Sequence, residues 1–314
     1  MMRWLMEYRT GTAKEKDQDR YITVEKVRIP SVRVPTVPYG TWRFSQEPMG
    51  VLTTALASPA STSVIVGASR GIGLALVSAL LHRGRGQVVA TGRKASESAA
   101  LAALREQWPD RLHYAQVDVT DAESIREMAG NVKRICMASA GDGSGSSGVD
   151  LLMNVAGVLH DPETGMMPER SLQSVDSQHM ARVLQINAIG PVLVTQALQN
   201  LLERGAVIGN LSARVGSIGD NRLGGWWSYR MSKAALNQAT RNMANELRRR
   251  EVIAVSLHPG TTNTGLSEPF QKNVRPDKLF TAEFTAGALL DVLEGLSLED
   301  SGGFFAYDGT PIEF

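Results

Sequence analysis

The chain has almost no cysteine: one, Cys136, in 314 residues. A single thiol closes no intramolecular disulfide and builds no thiolate metal cluster. It reads as a small apolar core residue. Charge of one sign is also lacking, with 33 Lys and Arg against 32 Asp and Glu and a formal net charge of +1. Nothing in that balance favours nucleic acid or an anionic membrane as a partner. No apolar run approaches the ~20 residues of a membrane-spanning helix. The expectation is a soluble protein of a reducing compartment, read as cytoplasmic. The rest of the composition is ordinary, 43% apolar and 21% charged. A chain of this length can bury a large α/β core and still carry an extension.

The extension is residues 1–60. It holds nine Lys and Arg against six Asp and Glu, with Pro30, Pro35 and Pro38 close together. Residues 21–29 suit a short strand and residues 31–40 an extended run. Transit peptides are poor in acids, and Glu7, Glu15, Asp17, Asp19 and Glu25 argue against one. The extension reads as disordered or loosely docked, with Met49 as an alternative start.

From Ser63 onward, strand and helix patterns alternate. Strands are expected at 63–66, 87–91, 112–117, 150–154, 206–211, 253–257 and 303–307. Helices are expected at 74–81, 96–107, 121–135, 174–202 and 228–249, the third capped by Asp121. The Gly/Ser stretch 140–148 reads as a surface loop. This alternation predicts one α/β domain over 61–314: a doubly wound, Rossmann-like parallel sheet of about seven strands with helices on both faces. Ligands of such sheets bind beyond the carboxyl ends of the strands. Gly67, Asp118, Asn154, Ser212 and Pro259 all follow strand ends and should gather on one edge.

Two motifs carry chemistry. The first is Gly67-Ala68-Ser69-Arg70-Gly71-Ile72-Gly73, between an apolar β-branched run and an apolar helix. Glycines let the backbone approach a pyrophosphate, and the helix start offers unpaired N–H groups. The candidates are Gly67, Ser69, Arg70, Gly71, Ile72 and Gly73. The second motif is Tyr229 and Lys233, four residues apart and so on one helix face. A free phenol titrates near pH ~10, and an adjacent ammonium favours its ionised form. That pair makes a proton donor usable near neutral pH.

Together these motifs resemble the short-chain dehydrogenase/reductase family, from about Ser63 to the C-terminus. Further stretches match in order. By that resemblance Asp118 contacts the adenine, with Val119 beside it. Asn154-Val155-Ala156-Gly157 is similar to the turn after the fourth strand, so Asn154, Ala156 and Gly157 join the cofactor set. Asn187 matches the asparagine of the catalytic tetrad. His258-Pro259-Gly260-Thr261 resembles the turn beside the nicotinamide and adds Pro259, Gly260 and Thr261. The stretches 216–221, 258–265 and 304–309 resemble more closely the C-factor/sniffer-like carbonyl reductase branch. That branch contains both reductases and proteins known by signalling phenotypes.

The resemblance implies hydride transfer between a nicotinamide cofactor and a carbonyl or alcohol. Tyr229 would act as general acid or base, and Lys233 would lower its pKa and hold the nicotinamide ribose. Asn187 would position a water beside Lys233. The cofactor is expected to be NADP(H). An NAD site carries an acid after the second strand, whereas this chain has Arg93 and Lys94 there and Arg70 in the glycine turn. Those cations suit a 2′-phosphate. The helix carrying Tyr229 often joins a dimer interface in the family, which implies a homodimer.

One position departs from the pattern. The family reads Asn-hydrophobic-Ser-Ser-x-x-Gly, with the second serine catalytic. This chain reads Asn210-Leu211-Ser212-Ala213-Arg214-Val215-Gly216. Three outcomes stay open: Ser212 serves, Ser217 serves, or the site works slowly with neither. Ser212 is carried as the candidate. Trp226 and Trp227 are candidates to wall an apolar pocket or to pack an insertion, with 158–170 and 265–277 at its mouth. An NADP-binding regulatory or signalling protein of weak or no activity is the alternative function.

Overall fold

In a computed structural model, residues 51–139, 148–162 and 164–314 are described. The elements expected at 21–29 and 31–40, Met49 and most of the Gly/Ser loop lie outside the described residues.

In chain order the elements are α1 (Val51–Ala57), β1 (Thr62–Val66), α2 (Gly71–Arg83), β2 (Gln87–Gly92), α3 (Ala99–Gln107), β3 (Leu112–Gln116), α4 (Ala122–Ser139) and β4 (Val149–Asn154). Then come α5 (Ser177–Leu184), a π-helical turn (Gln185–Ile189), α6 (Gly190–Leu198) and β5 (Leu202–Leu211). Last are α7 (Trp227–Leu247), β6 (Ile253–His258), β7 (Thr261–Thr262), β8 (Leu279–Phe280), α8 (Ala282–Glu294) and β9 (Phe304–Ala306). Seven strands form one sheet in the order β3-β2-β1-β4-β5-β6-β9, with every pairing parallel. Strands β7 and β8 pair separately. The fold is doubly wound and Rossmann-like.

Side-chain alternation along the strands builds two cores. Ile65, Leu151, Met153, Val207 and Val255 face a layer made by α1, α2, α3 and α8. Val64, Val66, Leu152, Ile208 and Ala254 face α4, α6 and α7. Strands buried on both faces read as continuous apolar runs, which is why β1, β4 and β6 stand out in the sequence. Cys136 lies on the inner face of α4, buried, and its thiol donates to the Gly148 carbonyl (3.5 Å).

The structure differs from the sequence expectations in four places. The extension does not run to residue 60 as a loose tail. Leu52 and Leu56 of α1 are buried in the core, and the Leu56 carbonyl accepts the Arg85 amide (3.0 Å). The helix expected at 96–107 starts later, because Ser98 caps α3 through the Leu101 amide (3.4 Å). The single helix expected at 174–202 is α5 and α6 joined through the π turn, and β5 begins already at Leu202. Helix α8 had no counterpart in the sequence reading. Thr281 caps it through the Phe284 amide (3.1 Å), and Ala286, Leu289, Leu290 and Leu293 bury its inner face against α2. Among the described residues, no helix is long and apolar enough to cross a membrane.

Leu289 is fully buried between α8 and the sheet. Leu289→Ala should cost about 2–5 kcal/mol of unfolding free energy, read by urea denaturation. A loss within the noise of the measurement would show that α8 contributes little to the core.

Candidate active site

The sheet order reverses between β1 and β4, and ligand crevices form at such switch points. Gly67, directly after β1, has φ +92°, and a Cβ there would lie 2.7 Å from the Ala156 nitrogen. The Val155 and Ala156 amides donate to the Val66 carbonyl (2.9 and 2.8 Å). Glycine is required by this close approach. A Cβ on Gly73 would come within 2.1 Å of the Gly67 carbonyl oxygen, so α2 starts in contact with the turn. Gly71 lies against Thr264 of the loop after β7.

Arg70, the N-cap of α2, has an extended backbone and makes no side-chain cap bond, and the first turn carries no acid. That helix start, with exposed Arg70 and half-buried Ser69 and Ile72 around it, fits the pyrophosphate of a dinucleotide. Arg93 is exposed just after β2, while Lys94 turns to Glu97 (3.7 Å). Asp118 is occupied within its own turn, accepting from the Thr120 N–H (2.9 Å) and hydroxyl (2.7 Å). Burial alone would raise its carboxyl. The Thr120 bonds and the nearby Arg93 and Arg182 hold it below the usual carboxylate range. Val119 is covered by Gly190, where a Cβ would lie 2.9 Å from the valine Cβ.

Asn154 ends β4, but its side chain turns into the sheet. Its Nδ2 donates to Asn210 Oδ1 (2.8 Å), and Asn210 Nδ2 donates to Thr240 Oγ1 (2.9 Å). The Asn154 amide is thus taken up within the sheet. After β6, Pro259 leads into Gly260 at φ +72°, where a Cβ would strike the Phe280 ring at 2.7 Å. Thr261 opens β7.

The catalytic candidates converge from three elements. Tyr229 and Lys233 project from α7, both buried, with the lysine Nζ 5.7 Å from the phenol ring centroid. Lys233 donates to the Leu211 carbonyl at the end of β5 (2.7 Å). Asn187, in the π turn, accepts the Val158 amide and donates to the Val158 carbonyl (both 2.8 Å). It also donates to Ser232 Oγ (3.0 Å). A Cβ on Gly157 would lie 3.3 Å from Asn187 Oδ1 and 3.7 Å from Lys233 Nζ. Tyr229, Lys233 and Asn187 thus form one buried cluster, with half-buried Gly157 against it.

The electrostatics correct a sequence expectation. Lys233 was expected to favour the Tyr229 phenolate. Burial dominates both groups: it pushes the phenol up and pushes the Lys233 amine down to about 7. Among the described residues no carboxylate pairs with Lys233 to offset its desolvation.

Residues 61–275 match the family model for short chain dehydrogenase. The chain belongs to the short-chain dehydrogenase/reductase family. It is similar to the C-signal of Myxococcus xanthus, with 40% identity over 166 residues, covering 52% of this chain and 92% of that protein. The NADPH-bound carbonyl reductase from chicken fatty liver shares 31% identity at TM-score 0.69, over 81% of this chain and 98% of that one. The carbonyl reductase Sniffer of D. melanogaster shares 26% identity at TM-score 0.70, over 82% and 100%. These likenesses put the chain in the carbonyl-reductase-like branch, as an NAD(P)-dependent oxidoreductase.

Within that family frame the serine question sharpens. The backbone stays extended through Ala213 (φ −154°, ψ 146°), so Ser212 and Ala213 point opposite ways. The Ser212 hydroxyl donates to Asn237 Oδ1 (2.7 Å). Asn237 is eight residues beyond Tyr229 on α7, about 12 Å along the helix axis. Ser212, the candidate from sequence, is therefore not brought to Tyr229. Ser217 is buried, and its hydroxyl oxygen accepts the Asp220 amide (3.0 Å) within its own loop.

Sequence reasoning missed several neighbours of Tyr229. The Trp226 ring stands edge-on to Tyr229 (6.2 Å) and against Phe270 (5.0 Å), which meets His160 (5.9 Å). Trp226 and the segments 158–170 and 265–277 therefore do meet beside the site. Trp227 is 37% exposed and faces outward. Glu169, buried, accepts from the Ser228 amide (3.1 Å) and hydroxyl. No local pattern marks His160, Glu169 or Phe270, because their Ser228, Trp226 and ring partners stand 44 to 110 residues away in sequence.

Burial pushes the Lys233 amine down to about 7 in the folded protein, against its ordinary 10.5 when unfolded. Between those values the unfolded chain binds the extra proton, so stability rises with pH across the window. Urea denaturation at pH 7 and at about pH 9.5 should show this gain in the wild type and lose it in Lys233→Met. An identical pH dependence in the two proteins would refute a buried neutral lysine.

Proposed function

We propose that this protein transfers a hydride between NADP(H) and a carbonyl or alcohol substrate, with Tyr229 as general acid and base. The observation carrying the reading is the convergence of Tyr229, Lys233, Asn187 and Gly157 beside the glycine turn. The catalytic domain is residues 61–314 with α1 docked on it, and a homodimer is part of the reading.

The residues available fit an anionic dinucleotide: an uncapped start to α2, a tight Gly67–Ala156 contact, and cations at Arg70 and Arg93. Arg93 and Lys94, not an acid, directly follow β2, so no carboxylate stands there to repel a 2′-phosphate, and the NADPH-bound chicken reductase supports the same choice. The cofactor, when bound, supplies or accepts the hydride. The protein's own residues handle the proton and the geometry. Tyr229 donates a proton to the carbonyl oxygen in reduction and accepts it in oxidation. Lys233, when protonated, makes that phenol a stronger acid. Asn187 fixes the Val158 backbone against α7 and so shapes the floor of the site. Trp226, Phe270 and His160 line the approach to Tyr229 with ring faces and edges, which suits a substrate with an apolar body.

A second reading is favoured by Ala213 and by the turned-away Ser212. The site then lacks the hydroxyl that assists the developing oxyanion, and loss of one such donor costs about 100-fold or more in rate. The protein would bind NADP and act as a regulatory or signalling component. Cofactor titration followed by NADPH oxidation over a panel of carbonyls separates the two. Binding with no turnover on any carbonyl would favour the second.

Under the first reading Tyr229→Phe should lower turnover by at least about 100-fold and leave the NADPH dissociation constant unchanged. Surviving activity would remove Tyr229 from the role. Arg93→Asp should weaken NADPH by about tenfold, roughly 1.4 kcal/mol, with little change for NADH. Equal affinity of the parent protein for both cofactors would end the 2′-phosphate argument.

A further inference from the structure

Helix α7 begins in an unusual way. Gly224, Gly225 and Trp226 all have positive φ (63°, 65° and 51°). Trp226, the N-cap, is a bulky residue in the left-handed region, a conformation that costs energy unless its surroundings hold it. It provides no side-chain cap. Helix starts leave their first N–H groups unpartnered, and Ser228, in the first turn here, is fully buried. A cap must come from elsewhere.

It comes from Glu169, on the loop after β4. Its Oε2 accepts the Ser228 amide (3.1 Å), its Oε1 accepts the Ser228 hydroxyl, and its backbone carbonyl accepts the Trp226 amide. The side chain is buried, and His179 of α5 stands 3.9 Å from Oε1. Burial alone would raise this carboxyl, but the Ser228 bonds outweigh it and hold it below its usual range, with His179 adding to the effect. A carboxylate here also meets the positive end of the α7 dipole. One residue therefore ties three pieces together: the loop at the pocket mouth, the first turn of α7, and the helix that runs on into Asn187.

We propose that Glu169 is a positioning residue for Tyr229. It holds the strained start of α7, and through Ser228 and Trp226 it sets where the adjacent phenol points. The inference rests on the reading of Tyr229 as proton donor. Small displacements of a catalytic group are costly, with a shift of about 1 Å reaching about 100-fold in rate.

The test uses the full chain with NADPH and a carbonyl that the wild type reduces. Glu169→Ala should lower kcat by about tenfold or more, while KM for the carbonyl and the NADPH dissociation constant stay within about twofold. Glu169→Gln keeps one carbonyl oxygen for the Ser228 amide and should restore kcat to within about threefold of wild type. Ser228→Ala, which removes only the hydroxyl, should fall between them. Hydrogen exchange gives a second readout that needs no turnover. Glu169→Ala should speed exchange of amides 228–233 and leave the strand amides of β4 and β5 protected. Unchanged kcat in both Glu169→Ala and Ser228→Ala, with Tyr229→Phe inactive, would overturn the proposal and spare the reading of Tyr229. Unchanged exchange at 228–233 would overturn it as well. An active Tyr229→Phe would instead sink the reading of Tyr229 itself.

Discussion

A buried amine, with no carboxylate paired to it among the described residues, organises this site. Lys233 is 4% exposed and donates to a single backbone carbonyl, that of Leu211 at the end of β5. Several other features follow from giving that amine its place. A Cβ on Gly216 would lie 2.7 Å from the Lys233 Cβ, so the loop after β5 can cross α7 there only as glycine. A Cβ on Gly157 would press on Asn187 Oδ1 at 3.3 Å and meet the amine at ordinary contact distance, 3.7 Å. The π turn carries Asn187 into hydrogen bonds with Val158 and Ser232, on either side of the cluster. Extra residues in a helical turn are common at functional sites. Here the turn lets one long helical segment both pack on α4 and α7 and deliver a polar side chain inward.

The sheet was legible because β1, β2, β4, β6 and β9 are buried on both faces and the strands are flanked by turn residues. The order of strand and helix from Ser63 to Leu257 followed directly from that pattern. What escaped has specific causes. Helix α8 carries its inner face at ordinary helical spacing, Ala286, Leu289, Leu290 and Leu293, a period that the sequence offers and that the expected elements omit. Helix α1 is seven residues long and follows the extension. Such a short segment has no period to read, and it is helical because Leu52 and Leu56 find the core. The π turn has no sequence signature, since Gln185–Ile189 continues the same apolar spacing on both sides.

The site was legible in proportion to how local its chemistry is. Tyr229 and Lys233 share a helix face, and the glycine turn is contiguous, so spacing pointed to each, and their occurrence together in the family's order gave them weight. Asn154 and Asp118 were nominated by position, yet their side chains satisfy neighbours of their own. Asn154 joins a buried amide and hydroxyl chain with Asn210 and Thr240, and Asp118 closes a turn on Thr120. Position after a strand predicts where the backbone lies and leaves the side chain's partner open. Glu169 shows the reverse. It sits 59 residues from Ser228, in a loop with no motif, and only the left-handed start of α7 explains why a buried carboxylate is needed there.

The proton chemistry then turns on the balance between burial and charge. Burial raises the Tyr229 phenol and brings the Lys233 amine to about 7, so near neutral pH the phenol keeps its proton while the amine divides between its charged and neutral forms. The amine changes charge in that range, and the acidity of the phenol follows it. Below about pH 7 an ammonium sits against the Tyr229 ring and eases loss of the phenolic proton, the step that reduction requires. Above it the phenol is held by burial alone, and reduction should slow. With alanine at position 213 and Ser212 committed to Asn237, the phenol has no serine hydroxyl at the family's position to share the developing charge. Under the proposed role, the protonation state of Lys233 therefore sets more of the rate here than in a relative that keeps its serine.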